Sequence, residues 1–140
     1  MRSRIERAVT SDATGLNILG LIAIVRGVSY FRVDVNRIPA HWLEGQLSPT
    51  VWAWVWILIG VGCFAAAVVP RILPITVGLA VGLNSLWALS FLIIWATGDS
   101  SRAYVSALGY LATAGLATWG FGRGRDPQVV VTIDPRREAG

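Results

Sequence analysis

Lysine is absent from this sequence, and histidine and cysteine occur once each. A lone cysteine excludes a disulfide framework, and Cys63 lies within an apolar run, where it reads as a small buried hydrophobe. Charge of either sign is also scarce. Charged residues make up 14% of the 140 residues, whereas a soluble domain of ordinary composition carries about 25%. A water-facing surface is therefore not what this chain is built to present. Also missing are a Ser/His/Asp set, a Walker loop, a GxGxxG turn and paired carboxylates within an apolar segment. The expectation is a protein with no catalytic residues and no cofactor. His41 and Glu44 stand at i, i+3, a spacing that puts two metal ligands on one helical face. A zinc site wants three or four protein ligands, and no second His or nearby Cys supplies them, so no metal site is expected.

Apolar residues are abundant, at 54% of the chain with a mean hydropathy of +0.59. The charges that exist gather at both ends and in short gaps between long apolar runs, the pattern of a chain whose solvent is largely lipid. The first 12 residues are polar and carry Arg2, Arg4 and Arg7. The apolar stretch Leu16–Val25 follows. It has the charged lead of a signal peptide but no small-x-small cleavage pattern before Arg32, so it reads as a retained first span over residues 13–31. Residues 32–50 form a polar loop whose middle, PAHWLEGQL, suits a short amphipathic turn at the membrane surface.

The uncharged run Val51–Val69 reaches about 28 Å as a helix, roughly one hydrocarbon thickness. Pro70 and Arg71 then break what would otherwise be an apolar run too long for a single crossing. Proline cannot donate the next helical hydrogen bond and arginine resists the hydrocarbon centre, so a tight helical hairpin is expected there. The third span runs over residues 72–98, with Pro74 in its first turn, where proline is tolerated. After the gap Asp99–Arg102, the uncharged segment Ala103–Phe121 makes a fourth span. A charged tail occupies residues 122–140. Within it Val129–Ile133 has strand propensity but no second strand to pair with. The fold class expected is all-α: four transmembrane helices in a compact bundle spanning residues 13–121.

Four crossings put both termini on one side. That side collects Arg2, Arg4, Arg7, Arg71, Arg123, Arg125, Arg136 and Arg137, against Arg32, Arg37 and Arg102 on the other. Cytoplasmic segments carry the excess of basic residues, so both termini are expected in the cytoplasm and the protein in the inner (plasma) membrane. The isoelectric point of about 10.2 also fits nucleic-acid binding. However, the arginines flank apolar spans instead of lining one face, which makes anionic lipid headgroups the expected partner and excludes nucleic acid. Trp42, Trp52, Trp54 and Trp95 fall near one membrane interface and Trp119 near the other, as anchoring indoles do; Trp56 and Trp87 lie deeper and read as packing residues.

Arg26 is the conspicuous residue, because a guanidinium inside a span is costly. It lies within reach of the end of its helix, where it can snorkel or pair with Asp99 at the same side of the membrane; a pore-lining role is the competing reading. Small residues supply the second signal. Gly78 and Gly82 form a GxxxG motif in the third span, Gly62 and Ala66 a smooth patch in the second, and Ser106, Gly109, Thr113, Ala117 and Gly120 a smooth face in the fourth. Such faces let helix backbones approach closely, within one chain or between copies. Asn17 and Asn84 are expected to make hydrogen bonds between helices.

Two families of small four-span proteins fail on specific residues. Small multidrug exporters need a glutamate in the first span, which this chain lacks. Fluoride channels share an arginine-containing first span with GLIAIVRGVSY, but rely on an asparagine in the second span and a Thr/Phe-rich third, neither of which is present. In size, span number, tight hairpin, charged tail and arginine-only basic residues, the whole chain resembles small membrane proteins of actinobacteria and their phages, including holin-like lysis proteins. That resemblance implies a protein without enzymatic activity that self-associates in the inner membrane, as a holin or antiholin does before a cell-wall hydrolase acts. Two alternatives stand beside it. One is an accessory subunit or scaffold docking a protein partner through its C-terminal tail, and the other is a small channel or transporter subunit using Arg26.

Overall fold

A computed structural model describes residues 2–32, 34 and 38–122, with side chains described from residue 13 onward. Four long helices account for most of it: α1 (Arg2–Tyr30), α2 (Pro49–Val68), α3 (Leu73–Thr97) and α4 (Ala103–Gly122). Short 3-10 turns at Glu44–Gln46 and Pro70–Ile72 punctuate the first two connections, and no strand occurs among the described residues. The polar stretch ahead of the first apolar run is not a separate tail, since α1 begins at Arg2 and continues without interruption to Tyr30. The segment from residue 123 onward, with its Val129–Ile133 run, lies outside the described residues.

The helix ends are written in the sequence. Ser48 caps α2, its hydroxyl accepting the Val51 N–H at 3.4 Å, and Pro49 occupies the first turn, where its missing N–H is no loss. At Pro70 the ladder stops: the Val69 N–H still reaches the Ala65 carbonyl, and the 3-10 turn Pro70–Ile72 reverses the chain into α3. Gly98 closes α3 with φ of 83°, the left-handed conformation that favours glycine. The N–H groups of Gly98 and Asp99 return to the carbonyls of Trp95 and Ile94.

Neighbouring helices run antiparallel. Gly27 faces Ala53 and Ile57 while Gly20 faces Gly60 and Cys63. Trp56 of α2 meets Trp87 of α3, and Phe91 and Trp95 of α3 meet Tyr110 and Tyr104 of α4. Gly15 lies beside Phe121, which brings the start of the apolar part of α1 to the end of α4. The result is an up-down-up-down bundle in which α1 packs mainly on α2 and α3 mainly on α4.

The outside of this bundle is its greasy side. Leu21, Leu58, Ile75 and Leu116 are all more than half exposed, whereas the interior contains many small residues such as Ala23, Ala53, Ala66, Ala80, Ala107 and Ala114. Water would penalise such a surface; lipid does not. Three helices, with spans Ala13–Tyr30, Pro49–Val68 and Pro70–Thr97, are long and apolar enough to cross a membrane. The protein is accordingly an all-helical membrane protein. The α4 helix is long enough at 20 residues, but its Gly, Ala, Ser, Thr and Tyr content leaves it less apolar than those three spans.

Close packing uses different glycines from those the motifs singled out. A Cβ on Gly20 would sit 2.8 Å from the Gly60 carbonyl oxygen, one on Gly60 2.7 Å from the Gly20 carbonyl oxygen, and one on Gly27 2.7 Å from that of Ala53. Backbones of α1 and α2 therefore touch, the contact that small residues permit in lipid, where packing must replace the hydrophobic effect. Gly62 meets Thr76 of α3, and Ala66 is buried. Gly78 and Gly82, by contrast, have open space where a side chain would stand, as do Gly109 and Gly120. On α4 the packed stripe is Ala103, Ala107, Tyr110, Ala114 and Ala117, so of the smooth face expected there Ala117 is buried while Ser106, Gly109 and Gly120 point outward. The stripe is shifted because Tyr110 turns toward Trp56 and Phe91 and fixes the helix rotation.

Candidate functional site

At the end of the bundle reached by Tyr30, the interior changes from apolar to polar. Arg26 projects from α1 between helices, its guanidinium donating to the Asn84 Oδ1 on α3. It lies 4.2 Å from the centroid of the Tyr110 ring and 5.3 Å from that of Trp56. Asn84 is held for this role by its own amide, which donates to the Ala80 carbonyl at 2.7 Å, leaving the side-chain oxygen to face α1. Arg26 and Asp99 are thus not paired. The Asp99 carboxylate lies at the exposed end of α3 and accepts the Thr97 hydroxyl at 2.8 Å. Arg26 is half-buried, and among the described residues its partners are a carboxamide and two aromatic faces, all neutral. Desolvated cation–π contacts of this kind are worth up to about 2 kcal/mol each, but they neutralise no charge.

The loop before α2 closes this region. His41 and Glu44 are 4% and 8% exposed, the reverse of the expected turn with its polar side in water. Trp42 is the residue that faces out. The inversion follows from what lies beneath: an arginine, an asparagine and two tyrosines make this part of the interior the more polar medium. Packing and hydrogen bonds lock the loop. The His41 ring stands edge-on to Trp87 and Phe91 at 5.4 and 4.7 Å. Its Nδ1 accepts the Glu44 N–H at 3.2 Å, the Glu44 carboxylate accepts the Ala40 N–H, and the Trp52 indole donates to the Glu44 carbonyl at 3.1 Å. Trp52 is therefore a buried core residue at 7% exposure instead of an interfacial anchor, while Trp42, Trp54, Trp95 and Trp119 are exposed. Trp87, fully buried like Trp56, donates to the Tyr30 hydroxyl at 3.2 Å.

Loop and helices line a half-open chamber of about 190 Å³, its walls formed by Arg26, Ser29, Tyr30, Ala40, His41, Glu44, Phe91 and Tyr110. That is smaller than drug-sized pockets, which run from about 300 to 1,000 Å³. Ala40 and His41 also line a second, more open cavity of about 470 Å³, together with Thr97, Asp99 and Ser100. The two cavities share these two loop residues in their walls. His41 and Glu44 are joined by no third His, Cys, Asp or Glu among the described residues. A cleft of about 350 Å³ at the opposite end, between α1 and α4, is apolar and lined in part by Gly15, Ile18, Thr113, Leu116 and Gly120.

Asn17 behaves differently from Asn84. It is exposed on the outer face of α1 and makes no hydrogen bond among the described residues. The sequence marked both asparagines and Arg26 but could not place the chamber, because its other half comes from a loop whose composition reads as surface. The signal available was the density of rings: Trp52, Trp56, Trp87, Phe91 and Tyr110 all have ring contacts with one another or with His41.

These features define an all-helical membrane protein with a polar chamber at one end. No protein-family model, curated protein or solved structure matches the chain.

Proposed function

We propose that this chain is a non-enzymatic, multi-pass protein of the inner membrane that works by self-association, with α4 as its fourth crossing and both termini in the cytoplasm. The observation that carries this reading is the uncovered glycine surface. Gly20, Gly27 and Gly60 bring backbones together inside the chain, whereas Gly78, Gly82, Gly109 and Gly120 are left with nothing within 4 Å. In lipid, a second copy gains packing from such faces that acyl chains do not match. The carboxamide of Asn17, exposed on α1 and without a hydrogen bond among the described residues, adds a group that a neighbouring helix can satisfy. A holin- or antiholin-type lysis protein is the form of this function that the overall layout supports. Docking of a partner through the C-terminal tail remains the alternative for residues 123–140.

Two measurements test it. Cysteine crosslinking in membranes through positions next to Gly78 and Gly82 should trap dimers and larger species, and the double substitution G78L/G82L should reduce them several-fold without lowering insertion. Induced expression should depolarise cells abruptly, and lyse them when a cell-wall hydrolase is present. Harmless accumulation of inserted protein would remove the lysis form, and uncrosslinked monomer would remove self-association itself.

One observation favours a second reading, that of a small ligand-handling or channel subunit. It is the guanidinium of Arg26, held by neutral partners among the described residues at the wall of a half-open polar chamber.

A further inference from the structure

The more open cavity at this end of the bundle, of about 470 Å³, has on its wall a carboxylate without a cation partner and an indole without a stacking partner. Asp99 supplies the carboxylate. Gly98 turns the chain out of α3 through its left-handed φ of 83°, and the Asp99 N–H returns to the Ile94 carbonyl at 3.2 Å, so backbone fixes the residue at the helix end. Its side chain accepts the Thr97 hydroxyl at 2.8 Å and pairs with no arginine among the described residues. A neutral hydroxyl leaves the charge in place, and a carboxylate has about four acceptor sites, so most of them stay open. Trp42 supplies the indole. The His41 ring is turned inward against Trp87 and Phe91. Trp42, the next residue, faces out at 54% exposure and makes no ring contact among the described residues. Pro39, Ile93 and Ile94 add apolar wall.

We infer that this cavity binds an organic ammonium group, its charge on Asp99 and its alkyl substituents against Trp42, supplied by a free solute or by the headgroup of a membrane lipid. An aromatic face attracts a cation through its ring quadrupole, and indole does so best. Apolar walls suit a weakly hydrated cation that carries methylenes and give nothing to a hydrated sodium ion. A divalent metal is poorly served, because it takes several oxygen ligands and the described wall holds one carboxylate. An anion meets Asp99 with no guanidinium on the described wall to offset it. The position also suits a lipid source, since the exposed indoles of Trp42, Trp54 and Trp95 gather at this end, as indoles do at headgroup depth. The inference depends on neither self-association nor the Arg26 chamber.

The test uses the full chain purified in a non-ionic detergent at low ionic strength, where an exposed carboxylate is least screened. Choline chloride, dimethylbutanol (the uncharged carbon isostere of choline) and sodium chloride are titrated in turn, with binding read by calorimetry. In parallel, the protein is reconstituted in mixed bilayers of phosphatidylcholine and phosphatidylglycerol, and the lipid it retains on extraction is identified by native mass spectrometry. The expected result is that choline binds at least tenfold more tightly than its isostere and survives an equal concentration of sodium, or that phosphatidylcholine is retained in preference to phosphatidylglycerol. The first outcome identifies a solute site and the second a lipid site. D99N, whose carboxamide still accepts the Thr97 hydroxyl, should weaken whichever binding is found tenfold or more. W42L should weaken it several-fold, and W42F, which keeps a ring, should weaken it less. Both positions are exposed, and should either variant fail to fold, the comparison of the probes on the unaltered protein decides the matter. An isostere that binds as tightly as choline, displacement of choline by equal sodium, binding indifferent to D99N or to W42L, or neither choline nor phosphatidylcholine bound would overturn the inference. Crosslinked oligomers that persist under any of these outcomes leave self-association standing, so the two ideas fail separately.

Discussion

Replacing Gly60 with leucine is expected to pry α1 from α2 and to lower the unfolding midpoint of the detergent-solubilised protein by roughly 5–15 °C. The clash is with backbone. Even the first carbon of a side chain at Gly60 would stand 2.7 Å from the Gly20 carbonyl oxygen and 2.6 Å from the Ile24 side chain. Ile24 can rotate away, but the carbonyl moves only if the helix does. Overpacking of a tight interior costs about 1–3 kcal/mol where side chains yield, and the unyielding backbone puts this site at the upper end. Gly20 makes the reciprocal contact and should behave alike. The matched control is Gly78→Leu, where nothing lies within 4 Å and the monomer should change by no more than about 0.5 kcal/mol. Thermal unfolding followed by circular dichroism distinguishes them. Equal effects at Gly60 and Gly78 would mean that α1 and α2 are not in backbone contact.

The same pair of glycines shows what the sequence could and could not disclose. Apolar runs long enough to span a bilayer are a one-dimensional property, and Pro70, Ser48 and Gly98 act on their immediate neighbours, so helices and their ends are legible residue by residue. Helix rotation is not. A GxxxG pattern marks Gly78 and Gly82, yet the backbone contact is made by Gly20, Gly27 and Gly60, which share no such motif within one helix and become a set only when α1 lies antiparallel to α2. The α4 stripe is likewise set by Tyr110 seeking the rings of Trp56 and Phe91, a preference that resides in the other helices. His41 and Glu44 are the sharpest case. A loop of Pro, His, Glu and Gly reads as surface because water is assumed to be the most polar medium within reach. Here Arg26, Asn84 and Tyr110 offer an interior alternative, and the loop folds inward over it.

Asn84→Leu is expected to destabilise the bundle by about 2–3 kcal/mol, because it leaves a half-buried guanidinium without its only carbonyl acceptor among the described residues. Two aromatic faces remain to Arg26, and they attract the charge without accepting its N–H groups in line. Leucine fills much of the asparagine's volume, so the loss reports the hydrogen bond more than a cavity. Arg26→Met removes the charge but exposes Asn84 to an apolar neighbour; its amide keeps the Ala80 carbonyl, leaving one unpaired oxygen, a smaller penalty of about 1–2 kcal/mol. The double variant R26M/N84L removes both polar partners together, and replacing a buried polar pair by apolar groups of similar shape is often close to neutral. The two single effects should therefore not add, with a coupling of about 1–3 kcal/mol measured as a double-mutant cycle in detergent or bicelle unfolding. Additive losses would show that Arg26 is supported from elsewhere in the chamber, and the loop carboxylate at Glu44 would be the group to remove next. If the coupling appears, the arginine is retained at a cost in stability that apolar packing would avoid. Such a cost points to a use for its charge in the chamber it lines.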